Sequence, residues 1–313
     1  MALRPFASLL VSSLLAGCTL IDLSQLGTGA GSSGGESSAG NDPGGGSDGV
    51  GGANQGGGGV SQGGAGGTPA PTYADCILGD GPAIFFRANS EASAIEETNL
   101  GTLGGAGTFS GAHAPFPGIA DEADQSTRFN SLEGTGSITI DPGALFGGYK
   151  PFSLETWIEV PAPIATVSLF ASSDGTNNLD LRIVKRADQT GDDSLVLRFQ
   201  TAASTERTVT HFLDLEEPQA QVLHIVAVYR QVEGQVFAGD GSSDDMLLYV
   251  NGMATADSAQ GDQVPLPEIT APLSIGNGFD GLMDEIAVYP RELDATEVAS
   301  HYAAGGDPST CRR

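Results

Sequence analysis

Asp284 and Glu285 stand side by side ahead of an apolar run, Ile286-Ala287-Val288, and adjacent carboxylates of this kind can hold a hard cation or exchange protons. Strand alternation puts Asp284 on the face of Ile286 and Val288, the side expected to meet the core, and a carboxylate there needs partners. Two readings stand at this point: a Ca²⁺ ligand, or a carboxylate accepting backbone amides near the N-terminal strand. The stretches Asp174-Gly175-Thr176-Asn177-Asn178-Leu179-Asp180 and Asp240-Gly241-Ser242-Ser243-Asp244-Asp245 offer further hard oxygen donors, without EF-hand spacing, and read either as Ca²⁺ loops or as solvated turns. Trp157, the one Trp, shares the non-core face of its strand with Glu155 and Glu159. It is the candidate ligand-binding platform for a sugar ring, the alternative being that it packs beneath a loop or the terminal helix. The four His (113, 211, 224 and 301) are scattered and read as packing or solvent-exposed groups. No Gly-x-Ser-x-Gly elbow, zinc-type His pair or phosphate loop occurs, so no catalytic residue is assigned.

Charge narrows the partners. With 39 acidic against 13 basic residues the chain carries a formal charge of −26, which excludes phosphate-tracking nucleic-acid binding and a polybasic membrane anchor, both of which need Lys and Arg. The N-terminus points to a different attachment. Residues 1–17 have one basic residue, Arg4, then the apolar Leu9-Leu10-Val11-Ser12-Ser13-Leu14-Leu15, then small residues, the three-part pattern of a secretory signal and too short to span a bilayer.

Leu15-Ala16-Gly17-Cys18 resembles the lipobox of bacterial lipoproteins, which implies cleavage before Cys18, its acylation and anchoring in a membrane; an ordinary signal with a chance Cys is the alternative. Thr19 rather than Asp follows, which by analogy implies the outer membrane. With Cys18 lipidated, Cys76 and Cys311 remain, and export makes a disulfide between them the expectation against two free thiols. Closing a loop of roughly 235 residues would contribute at most about 5 kcal/mol.

Residues 18–72 are the lipidated N-terminus and a Gly/Ser-rich linker, too poor in apolar surface to repay its ordering entropy. As Gly-rich coil its 48 or so residues span roughly 40 Å, with an extended limit near 160 Å. Residues 73–313 suit a single all-β sandwich. Phe152 to Val160 alternates with Phe152, Leu154, Ile158 and Val160 on one face. Leu181–Val184 and Leu195–Phe199 flank a polar turn as a hairpin would. Further strands are predicted at Ser137–Ile140, Val167–Ala171, Thr208–Leu213, Leu223–Tyr229, Met246–Val250, Leu273–Gly276 and Met283–Tyr289. Asn251-Gly252 supplies the two positive-φ positions of a type I′ turn. One helix is predicted after Asp294, with Glu297 at capping-box spacing, Val298 and Tyr302 at i and i+4, Gly305 as terminator, and a place as a lid on the end of the sandwich.

Phe152-Ser153-Leu154-Glu155-Thr156-Trp157-Ile158, His224-Ile225-Val226-Ala227-Val228-Tyr229, Leu247-Leu248-Tyr249-Val250-Asn251-Gly252, Ser274-Ile275-Gly276-Asn277 and the run from Phe279 to Leu293 resemble, in order and spacing, the successive signatures of laminin-G-like domains of the concanavalin A-like lectin/glucanase superfamily. The resemblance implies a two-sheet antiparallel jelly roll. It also implies Ca²⁺ as a cofactor, through Asp284. Enzymes of the superfamily present several acids alternating on one strand, and the apolar run after Glu285 lacks that pattern. The chain departs from the family in the acidic insertion from Glu233 to Asp245. The function expected is a non-catalytic envelope module that binds glycan or glycoprotein. A structural or adhesive protein with protein partners is the alternative, and a carbohydrate-active enzyme the third. Ligand identity and oligomeric state are not legible.

Overall fold

The computed structural model describes residues 71–120, 124–131, 134–148, 150–161, 165–185, 193–200, 206–213, 215, 220–230, 244–260 and 266–311, all within the unit Ala65–Arg313. The stretches expected to be a signal and a linker, Cys18 and most of the acidic insertion lie outside them. The period-two runs pair into two eight-stranded antiparallel sheets. Sheet I runs in the order Met253–Gln260, Asp244–Val250, Gln221–Tyr229, Phe152–Val160, Leu282–Tyr289, Gln125–Arg128, Ala114–Pro117, with Ile84–Phe86 also paired to Leu282–Tyr289. Sheet II runs Glu206–Leu213, Asp193–Gln200, Asn178–Val184, Val167–Ser173, Leu273–Ile275, Ser137–Ile140, Ala106–Ser110, Glu96–Thr98.

Between the sheets lies the main core, where Leu154, Ile158, Ile225, Ile286 and Val288 from sheet I meet Leu169, Leu181, Ile183, Leu197 and Phe199 from sheet II. Each such side chain contributes roughly 1.5–3 kcal/mol by leaving water. The outer face of sheet I is also covered. Helix α1 (Tyr73–Gly79) and helix α2 (Ala295–Gly306) lie over it and close a second cluster with Trp157, Val226, Val228, Ala287 and Tyr289. Burial on both faces explains why residues 223–229 read as a nearly continuous apolar run.

Helix α2 therefore lies on a sheet face, where its buried Val298, His301 and Ala304 are needed, and not at the end of the sandwich. Its capping box forms as predicted: Asp294 accepts from the Thr296 and Glu297 amides while Glu297 accepts from the Asp294 amide. Gly305 does not end the helix, which continues to Gly306 and caps on Asp307. Its role is close approach, because a Cβ there would collide with the Trp157 ring. Helix α1, with a second capping box from Thr72 and Asp75, was not anticipated. Cys76 in α1 is bonded to Cys311 beyond α2, Cα to Cα 5.6 Å, so the pair fastens both helices together.

Candidate functional site

The strand Leu282–Tyr289 has two partners along one edge. Gln125–Arg128 pairs with Leu282 and Met283, and Ile84–Phe86 pairs with Ile286 to Val288, leaving Asp284 and Glu285 at the seam. A bulge forms there, and Glu285 takes a positive φ of 49°, a conformation that costs a non-glycine residue on the order of 1 kcal/mol or more. The bulge reverses the strand's phase. Met283 and Ile286 both face the main core, and Asp284 pairs with Trp157 on the opposite side, correcting the expectation that it shares the face of Ile286 and Val288.

Asp284 is fully buried, and its Oδ2 accepts the amides of Ile119 (2.8 Å) and Ala120 (3.2 Å), while Oδ1 has no hydrogen-bond partner. Burial pushes its carboxyl up to about 7 against the pull of those amides. Burial and then the neighbouring Asp284 charge push Glu285 well above the carboxylate range, and both its oxygens lack hydrogen-bond partners. Asp124, just ahead of Gln125, completes a cluster whose three donor atoms lie within 4.8 Å of one another. Arg87, just after Phe86, pairs with Asp124 and comes within 3.4 Å of Glu285 Oε1. Three carboxylates against one guanidinium, with buried oxygens unsatisfied, fit a hard divalent cation held by oxygen. Asp284, Glu285 and Asp124 would hold Ca²⁺, which would supply the missing positive charge and fix the seam.

The other acidic stretches behave differently. Asp174 accepts from the Thr176 and Asn177 amides and caps its own turn, and Asp180 lies inside a strand among arginines. Residues 231–243, which include Asp240, are outside the described residues.

Glu155, read from the sequence only as a neighbour of Trp157, is the centre of the helix-covered face. It is fully buried and accepts from His224 Nε2 (2.8 Å), His301 Nδ1 (3.0 Å) and the hydroxyls of Tyr289 (2.8 Å) and Tyr73 (3.3 Å). Burial opposes its charge, yet the positive charge of His301 and the bonds from both imidazoles hold it well below the usual carboxylate range. His301 also meets Asp80 through Nε2 at 2.7 Å. Burial works against its protonation, but the Glu155 and Asp80 carboxylates outweigh it and raise His301 to about 10. Sealed under α1 and α2, the network is a clamp between sheet and helices. His113 stacks on Phe109, as a packing histidine does. The link between His224, His301 and Glu155 carries no spacing signal, because it spans three elements.

Trp157 is only 6% exposed. Its Nε1 donates to the Tyr73 hydroxyl (2.9 Å), and its ring lies against His224 and beneath Tyr302, stacked at 5.7 Å and 15°. Trp157 thus supports a platform whose outer ring is Tyr302, 40% exposed. The two rings open on a groove of about 410 Å³, rimmed by Val222, Asn251, Ala303, Gly305 and Gly306. Asn251 and Gly252 both have positive φ, as the predicted turn requires, and a side chain at Gly252 would strike Tyr302. Asn251 Oδ1 accepts the His224 amide (3.0 Å), which leaves its NH₂ uncommitted by that bond.

A two-sheet antiparallel sandwich with its last strand running from Leu282 to Tyr289 and a following helix defines the class. The chain belongs to the concanavalin A-like lectin/glucanases superfamily, whose family model matches residues 132–299, more than half of the sequence. No curated protein matches it. Among solved structures it is similar to the botulinum neurotoxin serotype G binding domain (TM-score 0.52, 12% identity, 72% of this chain and 51% of that chain). It is also similar to the binding domain of botulinum neurotoxin DC in complex with SialylT (0.53, 11%, 73% and 52%). A third is botulinum neurotoxin type C, described as entering cells through interaction with two ganglioside molecules (0.53, 10%, 72% and 51%). The chain spans about half the length of these neurotoxin chains, and at such identities the likeness is one of fold.

Proposed function

We propose that this protein is a non-catalytic glycan-binding module, tethered to the envelope through lipid on Cys18 and carrying Ca²⁺ at the Asp124, Asp284, Glu285 seam. The observation that carries the reading is the Tyr302 groove. An aromatic face backed by a parallel indole, beside an amide NH₂ and glycine backbone, suits the apolar face and hydroxyls of a sugar ring. Two proteins of similar fold support it: the binding domain of botulinum neurotoxin DC forms a complex with SialylT, and cell entry of botulinum neurotoxin type C depends on interaction with two ganglioside molecules. A glycan array probed with the purified chain and with Tyr302→Ala tests it. Wild-type binding to a defined set of glycans, lost in the variant at an unchanged thermal midpoint, is the expected result.

Val222 on the rim and Met253, 72% exposed beside the turn, add exposed apolar surface that favours a glycoprotein over a free sugar as the partner. Capture of a protein with no competition by sugar would shift the assignment to an adhesive role. The seam supports the Ca²⁺ part of the proposal by its chemistry: buried, unpaired carboxylate oxygens at a strained backbone position. Acylation of Cys18 rests on the lipobox, and outer-membrane placement on Thr19 after it.

A further inference from the structure

Cross-strand pairing in sheet II aligns Arg198, Asp180, Ala171, Ser274, Thr139 and Thr108 in one row of direct partners. Their chain neighbours Leu179, Leu181, Leu197, Ile138 and Ile275 enter the main core, so the row lies on the outward face. From Ala171 to Thr108 the side chains are short and mostly hydroxylic, which makes the row a low track. Four strand steps at about 4.8 Å give it a length of roughly 19 Å from Asp180 to Thr108.

The track ends at an unusual charge group. Asp180, 8% exposed, accepts from Ser168 Oγ (2.8 Å), and its Oδ2 lies between Arg182 (3.5 Å) and Arg198 (3.4 Å). Both contacts are long beside the roughly 2.7–2.9 Å of a strong charge-assisted bond. The Nε atoms of both arginines are buried without a hydrogen-bond partner. Among the described residues one carboxylate faces two guanidiniums and does not neutralise them, and this surplus of positive charge sits in a chain with three times as many acidic as basic residues. Guanidinium is the side chain best matched to a planar carboxylate.

We propose that the outer face of sheet II binds a carboxylate-bearing glycan, its acid group between Arg182 and Arg198 and its hydroxyls along the track. The proposal rests on the glycan-binding reading above and adds a second site of a different charge class, on the sheet away from Tyr302.

The test is titration of oligogalacturonate and of sialyllactose, each also as its methyl ester, into the full chain in EGTA. Arg182→Gln, Arg198→Gln, Ser274→Trp and Tyr302→Ala are titrated alongside. At least one acid should bind, with affinity tenfold or more weaker for its ester, for either arginine variant and for Ser274→Trp, and unchanged for Tyr302→Ala. Ser274→Trp blocks the track without touching the ion cluster, so its loss of binding does not depend on how the arginine variants fold. The proposal is overturned if neither acid binds, if acid and ester bind alike, or if binding survives in Ser274→Trp. Loss confined to Tyr302→Ala would also overturn it while upholding the groove, whereas neutral glycans that ignore Tyr302→Ala would count against the groove alone.

Discussion

Gly305 and Gly306 are adjacent in α2 and should respond very differently to the same substitution. A methyl group on Gly305 would enter the Trp157 ring, whereas one on Gly306 meets nothing within 4 Å. Gly305→Ala should destabilise the chain by about 1–3 kcal/mol through overpacking, and Gly306→Ala should change it by less than about 0.5 kcal/mol. Equilibrium denaturation of the two variants checks this, and equal midpoints would contradict the placement of Trp157. Trp157 was legible in the sequence as a non-core residue of its strand. Its covering was not, because alternation tells which face a residue takes and not what lies over that face. Glu155 was illegible for the same reason: a carboxylate beside Trp157 looks solvated until His224, His301, Tyr73 and Tyr289 arrive from other elements.

At the scale of elements, the strand Phe152–Val160 and the hairpin of Asn178–Val184 with Asp193–Gln200 appear where the period-two pattern puts them. The phase error at Asp284 has a definite origin. Alternation assumes an unbroken ladder, and here Leu282–Tyr289 changes partner between two strands far away in sequence, with a bulge at the change. Helix α2 is docked by charge as well as by Val298 and Ala304. His301, raised to about 10 from an ordinary value near 6.5, contributes stability that is complete below about pH 6.5 and lost as pH rises through about 10. Tyr73 and Tyr289, both pushed up by burial and then by Glu155, act in the same direction above pH 10. Glu155, held low, contributes stability that is present above about pH 4.5 and lost in strong acid. The thermal midpoint should therefore fall between pH 7 and pH 10, and His301→Gln should flatten that slope. An identical slope in the variant would contradict the assignment of a charged His301.

The described residues form a sandwich with one sheet covered by two helices joined through a disulfide, and the opposite sheet bearing a polar outer row. Among the described residues no helix is long and apolar enough to cross a membrane. A Ca²⁺ ion at the seam would tie the segment at Asp124 to Asp284 and Glu285, which come from separate parts of the chain. A ligand at 100 times its Kd stabilises the folded state by about 2.7 kcal/mol, and for a chain of this size that is a rise of roughly 5–10 °C in thermal midpoint. Millimolar Ca²⁺ against EGTA should produce such a rise in the wild type and not in Asp284→Asn, which keeps an acceptor for the Ile119 and Ala120 amides. An equal rise in both would place the ion elsewhere, and none in the wild type would leave Arg87 and protons as the partners of the cluster.

Glycan binding at the Tyr302 groove is the central claim, and the most direct measurement is calorimetric titration of the strongest array glycan into the wild type and Tyr302→Ala. Loss of the stacking ring should weaken binding at least tenfold with the fold intact. Equal affinity in the two proteins would contradict the assignment of the groove.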